Sequence, residues 1–345
     1  MRAGLIGLHG FGRTLAAAME RLGVEIAWGY HPDPARARAW DAARGVSDLG
    51  RALEDASVPA VLIASPTPHH ADHAAACAAA GKAIFVEKPL AATAEACDRM
   101  LAAAEAARVV GMCGHNVRRS AAARAIAKLI ADGRLGRLVD LELTLSHGGA
   151  YAFRMGNGRG HQRGHREGPL SALGVHPFDL VHAWAGPVRS ATGLLRNLAG
   201  VTEAPDAAAA LLELENGAAA LVKTDYIVPS EERFVVTGTD GIVTWARGEL
   251  TLRVGRDVDR VPSQPQRLAC EPVDTVAEEL REFIRAVEQD DPAAVETPLA
   301  TGAAAVYVLE ACYRSAVDRR PVPLAEFNRY RAAVGAGTAA VAASP

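Results

Sequence analysis

Gly7-Leu8-His9-Gly10-Phe11-Gly12 lies between the apolar run Ala3-Gly4-Leu5-Ile6 and a helix-forming stretch over 13–22. A chain that leaves a short buried strand, turns on glycines and enters a helix at once is committed to a strand–helix–strand unit. The helix brings the chain back alongside its first strand, so the strands run parallel. The turn is close to G-x-G-x-x-G, in which missing Cβ atoms allow a tight bend and let backbone N–H groups meet a pyrophosphate at the helix N-terminus. His9 occupies the middle glycine position, with Gly10 beside it to serve after a local shift. Gly7, His9, Gly10, Phe11 and Gly12 are therefore candidate cofactor ligands. A plain glycine turn is the other reading.

The alternation continues. Apolar runs over 24–29, 58–64, 83–86 and 109–113 are separated by helical stretches, including alanine-rich ones over 71–80 and 94–107. This predicts a doubly wound parallel sheet. In such sheets ligands gather at the carboxyl ends of the strands. The second run ends in Tyr30-His31-Pro32-Asp33-Pro34, where an acid is expected to meet the ribose hydroxyls. With His31 there and Arg36 and Arg38 following, a 2′-phosphate is tolerated, and NADP is expected slightly ahead of NAD. Asp33 is the rival acid, although Pro-Asp-Pro is also ordinary turn chemistry. The third run exits into Ser65-Pro66-Thr67-Pro68-His69-His70, and the fourth into Glu87-Lys88-Pro89. Proline ends that strand and places Lys88 at the crevice. His69, His70 and His73 have no acid or cysteine cluster beside them, so helix-cap and surface roles are expected rather than metal binding.

The whole chain narrows the choice of partners. At 345 residues two domains are expected. A net charge of −3 gives no basic field for nucleic acid or anionic lipid. Five scattered cysteines without a CxxC argue against disulfides or a cysteine metal site and for a reducing compartment. No apolar run approaches the ~20 residues of a membrane span, and no signal peptide is read ahead of the first strand, so a cytoplasmic protein is expected.

From 136 onward the pattern changes to alternating strands, 138–146 and then 191–198, 207–215, 218–226, 233–238, 242–246 and 250–254, joined by tight turns such as Thr239-Asp240-Gly241. A large, mostly antiparallel sheet follows. Between its first two strands lies a long stretch with Arg154, Arg159, His161, Arg163, His165 and Arg166, read as an anion-meeting substrate lid or as a solvated loop. Next comes Leu173-Gly174-Val175-His176-Pro177-Phe178-Asp179, in which His176 and Asp179 share a face if helical. Helices are expected over 275–289 and 299–319. Leu280, Phe283, Ile284 and Val287 mark a core face of the first.

The glycine turn, Ser65-Pro66-Thr67-Pro68-His69-His70, Glu87-Lys88-Pro89 and Gly114-His115-Asn116, in this order and spacing, resemble the Gfo/Idh/MocA family, named for glucose–fructose oxidoreductase, inositol dehydrogenase and a rhizopine catabolism protein. The resemblance covers roughly 2–322. It implies an N-terminal Rossmann domain over 1–118 and an α+β domain over 119–325 with a large, mostly antiparallel open sheet. The helix over 299–319 would return to the Rossmann domain, and 332–345 would form a frayed tail. It also implies an NAD(P)-dependent oxidoreductase acting on a carbohydrate, cyclitol or related hydroxy compound, and a homodimer or homotetramer formed through the sheet. Lys88, His176 and Asp179 would be catalytic and substrate-binding, with Arg154 and Arg163 as further substrate ligands. Ser65, Pro66, Thr67, His70, Glu87, Lys88 and Asn116 would join the cofactor site. The family's acid four positions before the histidine is missing, since Ala172 stands there. That departure keeps two alternatives open: a catalytically silent dinucleotide-binding sensor or scaffold, and a hydride-neutral lyase, glycosidase or epimerase. A zinc hydrolase built from His161, His165, His176 and His182 lacks the usual helix pair with its glutamate.

Overall fold

The computed structural model describes residues 1–153, 168–200, 203–256, 258, 261 and 263–342. They form two compact units, one of Met1–Asn116, Asp274–Val306 and the chain from Gly335, the other of Val117–Val273 and Tyr307–Val334. Among the described residues no helix is long and apolar enough to cross a membrane.

The first unit is built on six parallel strands: β1 (Arg2–Ile6), β2 (Glu25–Tyr30), β3 (Gly45–Val46), β4 (Ala60–Ile63), β5 (Ala83–Val86) and β6 (Gly111–Cys113). Their order is β3-β2-β1-β4-β5-β6, so the winding reverses between β1 and β4, where a crevice opens at the strand exits. β4 and β5 are buried throughout, which is why they read as unbroken apolar runs rather than alternating ones. β3 has only two residues and left no signal in the sequence.

The helix Phe11–Arg21 turns Leu15, Ala16, Ala18 and Met19 onto the sheet. The core joins Leu5, Ile26, Leu62, Phe85 and Met112 to Leu280 and Phe283 of the helix Thr275–Gln289, with Ile284 and Val287 partly buried against it. Phe283 meets Phe85 edge to face, 5.7 Å between ring centres, and burying such a side chain stabilises by about 1.5–3 kcal/mol. This helix was expected within 119–325. Instead it covers the first sheet, because periodicity reveals an apolar face but not the sheet that face covers.

The second unit holds nine strands: β7 (Leu138–Ser146), β8 (Val188–Arg196), β9 (Ala207–Leu214), β10 (Ala219–Asp225), β11 (Glu231–Gly238), β12 (Gly241–Ala246), β13 (Glu249–Val254), β14 (Gln266–Leu268) and β15 (Val322–Pro323). They are ordered β14-β13-β12-β11-β7-β10-β9-β8-β15. Every neighbouring pair is antiparallel except β7 and β10, which run parallel. Leu141, Leu143, Val222, Phe234 and Val236 point inward, where the helix Val175–Ala185 packs, its Trp184 6.0 Å from Phe234. Leu194, Leu211 and Leu221 stay exposed on the outer face.

The stretch expected as a frayed tail is helical over Tyr330–Ala342. Alanine favours the helix, and its first turn is anchored. Tyr330 accepts a hydrogen bond from the Val188 N–H at 2.6 Å, and its hydroxyl lies 3.0 Å from His182 Nε2.

Candidate active site

The glycine turn is shaped by what a Cβ would strike. At Gly7 (φ +98°) it would meet the Ala64 carbonyl and the Ser65 amide, and at Gly12 the Gly7 carbonyl oxygen. Gly10 (φ +55°) opens onto free space and caps the helix without a side-chain hydrogen bond, and no acid stands in the first turn. The leading N–H groups of this helix thus carry no anionic side chain, and their surroundings admit close approach. These features fit a dinucleotide pyrophosphate. His9 is exposed beside them and Phe11 is 40% exposed.

At the exit of β2, the His31 N–H bonds to the Val46 carbonyl at 3.1 Å, and its Nδ1 accepts from the Asp33 N–H at 3.0 Å. Asp33 caps the helix Pro34–Trp40 by accepting from the Ala35 N–H at 2.8 Å and faces Arg36 at 3.7 Å. The Ala35 bond above all, then the neighbouring cations, hold its carboxyl below the usual range. The only acid in this loop is thereby engaged as a cap. The rings of His9 and His31 stand 6.1 Å apart, edge to face.

At the exit of β4, Ser65 Oγ lies 3.0 Å from His73 Nδ1, and Pro66 leads into a short helical turn over Thr67–His69. His70 does not take the expected surface role. It is 1% exposed, its ring nitrogens 2.7 Å from the Ser65 carbonyl oxygen and 3.1 Å from that of Pro89. Burial pushes its pKa down against the pull of the two carbonyls, and because both partners are acceptors a neutral ring donates to only one of them at a time. With both ring nitrogens facing these carbonyls, neither is left for the expected cofactor contact.

The strand β5 delivers Glu87 and Lys88. Glu87 is buried, and its Oε2 accepts from the Lys88 N–H at 3.2 Å. Its other oxygen lies over Gly114, where a Cβ would come within 3.0 Å. Burial raises this carboxyl to about 7, against the pull of the Lys88 ammonium. Lys88 is half-buried, and its peptide bond to Pro89 is cis. Asn116, expected to line the cofactor pocket, donates its amide to Thr275 Oγ1 at 2.9 Å and so fastens the start of the helix that covers the sheet.

In the second unit, His176 and Asp179 share the helix Val175–Ala185, one turn apart and both buried. A π-helical turn over Leu170–Gly174 precedes it, a feature frequent near functional sites, and Ala172 lies within that turn. Both Asp179 oxygens accept from one guanidinium: Arg118 Nε to Oδ2 at 2.9 Å and Nη2 to Oδ1 at 2.6 Å. The sequence reading passed over Arg118 and its buried neighbour Arg119. Two arginines directly after the last parallel strand were the available signal. Arg154 and Arg163 lie outside the described residues. Among the described residues no three His, Cys, Asp or Glu side chains gather as a metal site.

Comparison with known proteins reads both halves of the chain. Residues 1–115 match the oxidoreductase family with the NAD-binding Rossmann fold, and residues 123–244 match the GFO/IDH/MocA C-terminal domain. The chain is 27% identical to inositol 2-dehydrogenase of Rhizobium meliloti, over 94% of this chain and 99% of that one. It is 33% identical to 1,5-anhydro-D-fructose reductase of Ensifer adhaerens, over 39% of this chain and 42% of that one. Among solved structures, levoglucosan dehydrogenase in complex with NADH and L-sorbose superposes with a TM-score of 0.82 at 22% identity, covering 95% of this chain and 100% of that one. With its two halves matched in order to the two halves of one architecture, the protein belongs to the Gfo/Idh/MocA family of oxidoreductases.

Proposed function

We propose that this protein is an NAD(P)-dependent oxidoreductase of sugars, cyclitols or related hydroxy and keto compounds. It would use NADP at least as readily as NAD. The observation that carries the reading is Lys88, held at the exit of a buried parallel strand, at the same end of the sheet as a turn suited to a pyrophosphate and two strands away from it. A bound nicotinamide supplies the hydride acceptor or donor. Lys88 binds the substrate oxygen, stabilises the negative charge that develops there and exchanges its proton. Its neighbour Glu87 stays protonated up to about pH 7, so below that the ammonium is not neutralised next door. His176 serves as a second hydroxyl ligand or proton partner. Asp179, gripped by Arg118, positions the helix that carries His176. The names of the relatives, inositol 2-dehydrogenase and levoglucosan dehydrogenase, support the substrate class. His31 in place of an acid, with Asp33 engaged as a cap, supports NADP.

Titration with NADH and NADPH, followed by nicotinamide fluorescence, tests the cofactor reading, and a screen of polyols and keto-sugars tests the chemistry. Both cofactors are expected to bind, NADPH the tighter, with net nicotinamide turnover on at least one polyol or keto-sugar. Binding of neither cofactor would end the enzyme reading. Substrate conversion without net change in the nicotinamide would replace it with the hydride-neutral alternative.

The same proposal includes a homodimer or homotetramer formed through the second sheet. Leu211 and Leu221 are direct cross-strand partners, and Leu194 lies on the same exposed face. Leu211→Glu with Leu221→Glu is expected to shift the species seen by sedimentation to monomer. A wild-type protein already monomeric at micromolar concentration would overturn this. None of the five cysteines forms a disulfide, which fits a reducing cytoplasm.

A further inference from the structure

We infer that Asp206 is a positioning residue for His176: it fixes the backbone against which the π-helical turn ahead of His176 rests, and so sets how firmly that histidine holds a substrate hydroxyl. The inference rests on the reading of His176 as a hydroxyl ligand given above and deepens it.

Asp206 stands directly ahead of β9 and is fully buried. A carboxylate in that position is costly unless its oxygens are satisfied. Both are taken by the backbone that leaves β8. Oδ1 accepts from the Leu198 N–H at 2.7 Å and Oδ2 from the Ala199 N–H at 2.8 Å. The main chain of Asp206 is held from both sides as well. Its N–H donates to the carbonyl of Arg196, the last residue of β8, at 2.9 Å, and its carbonyl accepts from the N–H of Tyr226, just past β10, at 2.8 Å.

A residue pinned in this way fixes its neighbour. Pro205, with its own φ locked by the ring, presses on Gly168, where a Cβ would lie 3.0 Å from the Pro205 carbonyl oxygen and 3.4 Å from its Cβ. The Gly168 carbonyl in turn accepts from the N–H groups of both Ser171 and Ala172, each at 3.1 Å. Those two residues lie in the π-helical turn over Leu170–Gly174, and the helix that begins at Val175 carries His176. A π-helical turn is a rare, single-turn departure from the α-helix, so its shape depends on what packs against it. The route from Asp206 therefore runs over Pro205 and Gly168 into that turn, and all of it lies in the second unit. An asparagine at 206 would keep the volume and lose the geometry. Its amide offers one acceptor oxygen and would turn N–H groups toward one of the two backbone donors.

Hydrogen exchange followed by mass spectrometry reads the link without a substrate. In Asp206→Asn, residues 168–176 are expected to exchange at least about tenfold faster, while 219–222 in β10 stay within about twofold of wild type. With the best substrate from the polyol and keto-sugar screen, the same variant should raise KM about tenfold and leave kcat within about twofold, as loss of a contact made equally in ground and transition states does. Cofactor affinity should not change. Gly168→Ala pushes on the same contact from the other side with the Asp206 bonds in place, and should raise KM likewise even if Asp206→Asn fails to fold. Asn197→Ala removes the bond to the Gly200 N–H in the same connection without touching Pro205, and should keep the wild-type KM.

Equally fast exchange in β10 would make Asp206 a general structural residue and overturn the inference. A wild-type KM in both Asp206→Asn and Gly168→Ala, beside a raised KM in His176→Ala, would overturn it too and leave the reading of His176 standing. A wild-type KM in His176→Ala would overturn that reading, and the inference with it.

Discussion

Lys88→Ala is expected to lower kcat by roughly 10³-fold while the dissociation constants for NADH and NADPH stay within about threefold of wild type. The size follows from losing two contributions at one atom. In the proposed role the ammonium would stabilise an oxygen on which charge develops, and it would also exchange that oxygen's proton. General acid–base catalysis alone is worth about 10²–10⁴-fold. Lys88→Arg should rescue little, since a guanidinium keeps its proton at any working pH. Steady-state kinetics beside fluorescence titration separates the cases. A variant that turns over normally would remove Lys88 from the chemistry. One that loses cofactor affinity in proportion to rate would make it a cofactor ligand instead.

The second large effect is on stability. Asp179 is 1% exposed and Arg118 4% exposed, and their pairing is bidentate. Removing one member leaves a desolvated charge without its main counter-ion, a loss of about 3–5 kcal/mol. Arg118→Ala should therefore lower the melting temperature by on the order of 10 °C. The double variant Arg118→Leu, Asp179→Leu should cost much less than the sum of the singles, because it leaves neither charge behind. Urea melts of the wild type, Arg118→Leu, Asp179→Leu and the double variant give the coupling energy. Strict additivity would show that the two side chains do not depend on each other. Arg118→Lys should behave nearly as badly as alanine, since an ammonium cannot reproduce the two-pronged geometry.

What could be read from the sequence, and what could not, divides along a physical line. Local chemistry was visible. Gly7, Gly10 and Gly12 announced a turn because only glycine fits there, and β7 showed its alternating faces because one side is buried. The apolar stripe of Leu280 and Phe283 was visible as a stripe. Its destination was not, since periodicity carries no address. The same limit hid the pairing of Arg118 with Asp179, sixty-one positions apart. His70 looked like one of three surface histidines, yet it joins two strand exits. Burial at a loop depends on what packs above it, and that is tertiary information. Asp33 is the intermediate case. Its Pro-Asp-Pro setting already suggested a turn residue, and the Ala35 bond shows it serving as a cap.

The first sheet is finished by residues that come much later in the chain. Leu280 and Phe283 belong to its core, Thr275 accepts from Asn116, and Thr297 donates its hydroxyl to the Cys113 carbonyl at 2.8 Å. During synthesis, β6 is made long before the helix Thr275–Gln289 that covers Phe85 and Met112. At about 5–20 residues per second, that interval lasts on the order of ten seconds or more. For that time the nascent sheet presents a bare apolar face, while eight of the second unit's nine strands, β7 to β14, are being translated. The order of genetic information thus makes the nucleotide-binding half wait for a helix that is translated after eight of the second unit's nine strands.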